Sequence, residues 1–290
     1  MKKKTIVMIC VIAFAVICAG IVFFPVLRTE KVEEAGRLHY SVSFTEDRKT
    51  GQYSDFYIVL YSTFGRKKIS NASYTVDPDG TVSLSVTERG IPLFFPKNDD
   101  GYHIAIPGVL DEDTANAAPG IRRIVLNTEK ENVVIWEDGE TIDLWTSHLF
   151  NKMTENVANA QSLAETILVM LNADRLTLED PQEGLPFLVT FPADRREITV
   201  DYNPEIVAFE SQKDLLQEWK MDSCYLLALL DGLEKVNWQY SFAGKRDAFS
   251  FSAAQASEEL GQDVKSYGKT AGALQKLTDL RSTYPPVYFD

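Results

Sequence analysis

The chain has 290 residues, of which 24% are charged, and its formal net charge is -13 at pH 7. Without the three lysines near the N-terminus, 26 Lys and Arg face 42 Asp and Glu, a balance of -16. So acidic a surface repels phosphate backbones and anionic wall polymers, and nucleic acid is therefore not expected as a partner.

The N-terminus carries an uncharged run over residues 5–27, directly after the lysines at positions 2–4. A spanning helix needs about 20 predominantly apolar residues, whereas a cleaved signal peptide has a shorter apolar region and a small-residue cleavage site. Positions 18–20 offer only a weak site, so the sequence predicts an uncleaved transmembrane anchor over 5–27, with a cleaved signal as the alternative. By the positive-inside rule, residues 1–4 form a cytoplasmic tail and the rest of the chain is extracytoplasmic.

Cysteine usage bears on the compartment. Cys224 is the only cysteine beyond the predicted anchor, so the external part has no intrachain disulfide. Extracellular eukaryotic domains more often carry disulfides, which favours a Gram-positive bacterial surface protein held in the cell membrane by one span.

After a predicted linker over 28–36, residues 37–148 have the pattern of a β-rich domain. Short runs rich in β-branched and aromatic residues alternate with turn signals such as Asp77-Pro78-Asp79-Gly80, and Asp138-Gly139 predicts a hairpin. The predicted strands are 38–44, 55–64, 80–88, 121–127 and the run before Asp138. Such spacing favours an antiparallel sandwich or an open barrel-like sheet.

The hydrophobic period changes near Asn151, which predicts a separate α+β domain over 152–290. Helices are expected over 151–173, from Ser211 to about Gly232, from Ser252 to Gly261, and from about Asp263 to Ser282. The predicted strands are 186–192, 196–202 and 236–242. In the last of these, Val236, Trp238, Tyr240 and Phe242 share one face. We therefore expect a small antiparallel sheet covered by helices.

The most distinctive residues of the second half are the block 228–233, the strand 236–242 that follows it, Phe251-Ser252 and the break at 260–263. Over about residues 152–280 the chain resembles a domain-of-unknown-function family of membrane-anchored proteins from Firmicutes-type bacteria. That domain is also attached to sensor metallopeptidases of the β-lactam-antirepressor type. The resemblance implies an anchored external module associated with envelope sensing, and it transfers no catalytic motif.

One stretch, KSYGKT at 265–270, fits the S-x-x-K pattern of acyl-serine enzymes through Ser266 and Lys269. In those enzymes the nucleophile opens a helix and S-D-N and K-T-G elements complete the site. The chain contains no S-D-N, and Ala271 interrupts the K-T-G element. Because the helix is predicted to begin near Asp263, Ser266 is expected inside it and is not predicted to be catalytic.

The metal-ligating residue types show no site pattern. His39, His103 and His148 are scattered and are predicted to be surface or strand-edge residues, and the zinc-protease motif H-E-x-x-H is absent. Asp111-Glu112-Asp113 hints at calcium, but the spacing fails and an acidic loop is the simpler reading. No catalytic, cofactor-binding or metal-binding residues are predicted, and no cofactor is expected.

Cysteine and tryptophan are the other residue types that could react or bind a ligand. Cys224 lies in an apolar helix and is predicted to be buried and inert. Tryptophans could stack on sugars, but Trp219 and Trp238 fall on predicted core faces, which leaves Trp136 and Trp145.

These observations favour a membrane-anchored extracytoplasmic binding module that acts in envelope sensing or stress response and is not an enzyme. It would bind the bilayer through residues 5–27 and a protein partner through its external part. The alternative is an envelope hydrolase acting on peptidoglycan or peptides. A convergence of base, nucleophile and oxyanion donors in a concave site would favour the hydrolase.

Overall fold

The computed structural model describes residues 28–47, 52–63, 65–91, 101–107, 120–156, 163, 167, 187–190, 192, 196–206 and 211–283. The fold is α+β, as predicted, and its sheets are antiparallel or mixed. The chain divides into two compact units, Met1–Thr141 and Ile142–Asp290.

The first unit is built of strands. Within its described residues they are β1 (Thr29–Lys31), β2 (Leu38–Asp47), β3 (Gln52–Ser62), β4 (Lys67–Val76), β5 (Thr81–Gly90), β6 (Tyr102–Ile106), β7 (Arg123–Asn127), β8 (Asn132–Glu137) and β9 (Glu140–Thr141). A short 3-10 helix, Ala35–Arg37, precedes β2.

These strands form two sheets. One has the order β1-β5-β7-β8-β9, and β4 also pairs with β5. The second has the order β2-β3-β6. The expectation of a purely antiparallel domain is wrong at β5 and β7, which pair in parallel. The reason is topological. β6 lies between β5 and β7 in sequence but pairs in the other sheet. The chain therefore leaves the first sheet after β5 and re-enters it as β7, which runs beside β5 in the same direction.

An aromatic cluster joins the two sheets of the first unit. The ring of Trp136, on β8, lies 4.6 Å from that of Phe56, on β3, and 5.4 Å from that of Phe44, on β2. Edge-to-face pairs at such distances add to the area that the rings bury. The core of this unit therefore lies between the inner faces of its sheets.

Residues 28–36 differ from the predicted linker. Thr29 to Lys31 pair with β5, and the side chains of Val32 and Ala35 are fully buried. Because burial of small apolar side chains gives a segment a fixed place in the core, these residues belong to the first unit.

The second unit is a layer of helices on a sheet. Its described helices are α1 (Leu144–Asn156), α2 (Gln212–Leu229), α3 (Ala253–Leu260) and α4 (Ala271–Thr283). Its strands are β10 (Phe187–Thr190), β11 (Glu197–Ile206), β12 (Lys235–Phe242) and β13 (Lys245–Ser252), in that spatial order. The sheet is mixed instead of antiparallel, because α2 carries the chain back and β11 and β12 pair in parallel.

Local sequence signals set several of these boundaries. Ser252 and Gln255 form the predicted capping box at the start of α3, and the Ser211 hydroxyl caps α2. Helix α1 begins earlier than predicted, at Leu144. The carboxylate of Asp143 accepts a hydrogen bond from the Thr146 N–H at 2.7 Å and so caps the first turn. This moves the boundary between the units ahead of the predicted one.

The predicted face of β12 is confirmed. Val236, Trp238 and Tyr240 are buried, Gln239 points to solvent, and Phe242 at the strand end is half-buried.

The predicted anchor over 5–27 lies outside the described residues. Among the residues that the structure describes, no helix is long and apolar enough to cross a bilayer.

Candidate functional site

The KSYGKT stretch consists of a closely packed 3-10 helix and its connection to an α-helix, and it is not the predicted continuous helix. Val264–Gly268 is a 3-10 helix, and α4 begins only at Ala271. The Ser266 hydroxyl donates a hydrogen bond of 2.6 Å to the Asp263 carbonyl, and Lys269 is exposed. The residues predicted to face the core are buried there: Val264, Tyr267, Ala271 and Leu274.

The other residues of this stretch hold it against the C-terminal end of α2. The Lys265 ammonium donates to the Leu230 carbonyl at 2.7 Å, which satisfies an acceptor that the helix end leaves open. Burial lowers the pKa of Lys265 below its usual value. Gly268 lies against the backbone of Ala228. The stretch is therefore held in place by its contacts with the end of α2.

An acyl-serine enzyme should form a covalent adduct with penicillin, which offers a direct measurement. Because the Ser266 hydroxyl is bonded within its own turn, we expect no labelling of the purified chain by a fluorescent penicillin, and no difference between it and Ser266→Ala. Labelling that disappears in Ser266→Ala would contradict this and favour the hydrolase.

Cys224 is buried, as predicted. Burial, with smaller contributions from Glu259 and Asp222, raises the pKa of its thiol to about 12. Since the thiolate is the reactive form, Cys224 should resist a maleimide at pH 8 in the native chain and react fully in denaturant. Mass spectrometry of the labelled chain measures this. Rapid labelling of the native chain would show that the thiol is accessible.

In the described part of the chain, the buried carboxylates are engaged in ion pairs and are not arranged as an acid–base pair. Each lies beside a basic side chain: Glu88 beside Lys67 at 2.7 Å, Asp222 beside Arg281 at 3.3 Å, and Glu137 beside Arg123. Removing one partner of such a pair is strongly destabilising, so we assign these carboxylates a role in stabilising the fold.

The three histidines differ in their exposure. His39 and His103 are exposed on strands, as predicted, whereas His148 is half-buried in α1. Of the tryptophans, Trp136, Trp219 and Trp238 are buried and Trp145 is half-buried. Asp111 to Asp113 lie outside the described residues. Among the described residues, no group of three or more His, Cys, Asp or Glu could hold a metal ion.

The strongest candidate for a binding surface is the open face of the β2-β3-β6 sheet. The register places residues of all three strands side by side on the face opposite the core. We call this surface the Tyr–His face, and its residues are His39, Ser41, Ser43, Tyr57, Val59, Tyr61, His103 and Ala105.

One end of the Tyr–His face is ordered by a hydrogen bond. Tyr57 is 44% exposed, and its Oη lies 2.6 Å from Nδ1 of the exposed His103. Their rings lie 5.4 Å apart at an interplanar angle of 38°. An exposed large aromatic ring is thus held in one orientation by a partner from the neighbouring strand.

The other end is ordered by a close approach of the backbone. Tyr61 lies opposite His39, with ring centroids 6.2 Å apart. A Cβ on Gly101 would lie 2.8 Å from Cε1 of Tyr61 and 2.7 Å from Cγ1 of Val59. Only glycine permits this contact, which covers one side of the Tyr61 ring and leaves it half-buried.

The Tyr–His face contains no Asp, Glu, Lys or Arg. In contrast, the open face of the β10–β13 sheet carries ion pairs between its strands, Glu197 on β11 with Lys235 on β12 at 3.5 Å and Asp201 on β11 with Arg246 on β13. Charged pairs of this kind are typical of a solvated face. The chain is strongly acidic, yet this patch carries aromatic and hydroxyl side chains and no charge. Such a composition is typical of the centre of an interface.

The Tyr–His face does not follow from the sequence patterns. The histidines are scattered in the sequence, and β6 is not among the predicted strands, although Tyr102–Ile106 carries β-branched residues at alternate positions, Ile104 and Ile106, which are both buried. Alternation predicts which residues share a face, but not that β6 pairs with β3.

Comparisons of the chain with protein-family models, with curated proteins and with solved structures found no match.

Proposed function

We propose that this chain is a membrane-anchored extracytoplasmic binding module that acts in envelope sensing or stress response and catalyses no reaction. Residues 5–27 would span the membrane with the N-terminus in the cytoplasm, and both units would lie outside. The length of the uncharged run and the lysines before it support this topology. A protein partner would carry the signal onward.

The observation that carries the proposal is the Tyr–His face. Aromatic residues that are held rigidly and lie away from charge supply most of the energy at interfaces, because they bury large areas at small entropic cost. An open sheet face differs from the concave pockets that enclose small substrates. Both features support binding of an extended partner over catalysis.

Two finer assignments are part of the proposal. Contact between the two sheets through Trp136 supports a sandwich for the β-rich unit. We also propose that about residues 152–280 belong to the domain-of-unknown-function family named above. The helix end at Leu229, the strand β12 and the capping box at Ser252 agree with the positions that carry the resemblance.

Location is tested first. Membrane fractions should contain the full chain of 32.6 kDa after washing with high salt, and protease added to intact cells should digest it. A chain that begins after Gly20, or one that is protected from the protease, would contradict the proposed topology.

Binding is tested by site-specific photocrosslinking in intact cells. A benzophenone amino acid at position 57 should give a discrete adduct, because Tyr57 is exposed on the central strand of the face. The same amino acid at Gln239, an exposed position on β12, is the matched control. Adducts that are absent at position 57, or equal at both positions, would show that the Tyr–His face binds nothing in the cell.

A further inference from the structure

We propose that the ligand of the Tyr–His face is an uncharged glycan chain; this inference rests on the binding function proposed above. Three properties of the face support it: its size, its lack of charge, and the alternation of rings with hydroxyl and imidazole groups.

Size limits the class of occupant. Tyr57 and Tyr61 are four residues apart on β3, so their Cα atoms lie about 13 Å apart at 3.3 to 3.4 Å per residue. The outer strands β2 and β6 lie about 10 Å apart, twice the spacing of neighbouring strands. The face thus covers a few hundred Å² at most, whereas a stable protein interface buries about 800 Å² on each partner. An oligosaccharide laid along β3 fits this footprint.

The chemistry of the side chains fits sugar rings. The apolar C–H faces of a pyranose pack on tyrosine rings, and its hydroxyl groups need neutral donors and acceptors at the edges. Tyr57 and Tyr61 supply the rings, and Ser41, Ser43 and His103 supply the polar groups. Tyr57 and His103 are already hydrogen-bonded to each other, so little conformational freedom is lost when a ligand binds.

Charge decides between neutral and anionic glycans. The face has no cationic side chain to pair with a carboxylate or a phosphate. The chain around it has a balance of -16 outside residues 1–27, and Asp55 lies exposed just beyond Tyr57. An anionic polymer would therefore be repelled, whereas a neutral one would not.

Binding can be measured by isothermal titration calorimetry on the full chain in nanodiscs, which avoid glycoside detergents. The probes are the neutral hexasaccharides of chitin, cellulose and amylose, with the hyaluronan hexasaccharide as the anionic counterpart. We expect at least one neutral probe to bind, and the anionic probe to bind at least tenfold more weakly. Removal of either ring, in Tyr57→Ala or Tyr61→Ala, should weaken neutral binding about tenfold.

A matched pair of variants separates contact at the face from general effects of charge. Ala105, opposite Tyr57 on β6, and Ala248, on β13, are both exposed alanines on the open faces of edge strands. Ala105→Glu should abolish glycan binding, because its carboxylate would lie beside the Tyr57 ring. Ala248→Glu adds the same charge and should leave binding unchanged. Both variants keep every core contact, so their thermal unfolding should match that of the parent.

The outcomes distinguish this inference from the function on which it rests. If no neutral hexasaccharide binds better than hyaluronan, or if Ala105→Glu has no effect, the glycan assignment is wrong. If, in addition, photocrosslinking at position 57 captures a protein and Ala105→Glu prevents it, the binding function stands with a protein as the partner. If position 57 gives no adduct and no glycan binds, both proposals fail.

Discussion

Gly268→Ala should destabilise the second unit by about 3 kcal/mol or more. A Cβ at this position would lie 2.0 Å from the carbonyl oxygen of Ala228 and 2.5 Å from its carbonyl carbon. These are backbone atoms at the end of α2 and cannot move aside as the end of a flexible side chain could. The 3-10 helix would have to separate from α2, and the bond from Lys265 to Leu230 would be lost.

Two opposing effects make this substitution informative. The φ angle of Gly268 lies outside the left-handed region, so its backbone conformation suits alanine. From conformation alone, alanine would stabilise the chain by about 0.4 to 1 kcal/mol through the unfolded state. We expect the steric clash to outweigh this gain.

Urea unfolding of the full chain, followed by tryptophan fluorescence and circular dichroism, measures the difference. Lys269→Ala, one residue further on and exposed, is the control and should change stability by no more than about 0.5 kcal/mol. A Gly268→Ala chain as stable as its parent would show that the 3-10 helix does not pack on α2.

Trp238→Ala should cost about 3 to 5 kcal/mol, a large part of the stability of a typical domain. The Trp238 side chain is fully buried and stacks on Trp219 with ring centroids 4.8 Å apart and planes within 9°. Its Nε1–H donates to the Ser223 hydroxyl at 2.9 Å, and that hydroxyl donates to the Trp219 carbonyl at 2.6 Å. Removal of the indole therefore leaves a cavity and breaks a buried chain of hydrogen bonds.

The hydrogen bond can be separated from the packing. Ser223→Ala keeps the stack but leaves the indole N–H without its acceptor, which should cost about 1 to 3 kcal/mol. In a Trp238→Phe background the same serine substitution should cost less, because no donor is left unsatisfied. Gln239→Ala, on the exposed face of the same strand, is the control for β12. Equal costs of Ser223→Ala in both backgrounds would contradict the proposed bond.

Local sequence was sufficient to predict features that depend on a few consecutive residues. The capping box at Ser252, the hairpin at Asp138-Gly139 and the buried side of β12 were all predicted correctly. Each depends on residues that are close together in sequence: one turn of a helix, one tight turn, or alternate positions of a strand. Each is therefore visible in the order of the side chains. The start of α1 was missed, although its capping residue Asp143 carried the same kind of signal.

The pairing of distant segments was decided only by the tertiary structure. Neither parallel pairing, β5 with β7 or β11 with β12, follows from the alternation of either strand, because alternation gives the two faces of a strand but not its neighbour or direction. Tyr57 and His103 are 46 positions apart, and Gly268 meets Ala228 from a different element. The sequence by itself thus determined the α+β class, the acidic charge and the buried faces. The Tyr–His face and the role of KSYGKT depended on contacts between elements, which only the complete packing of the chain specifies.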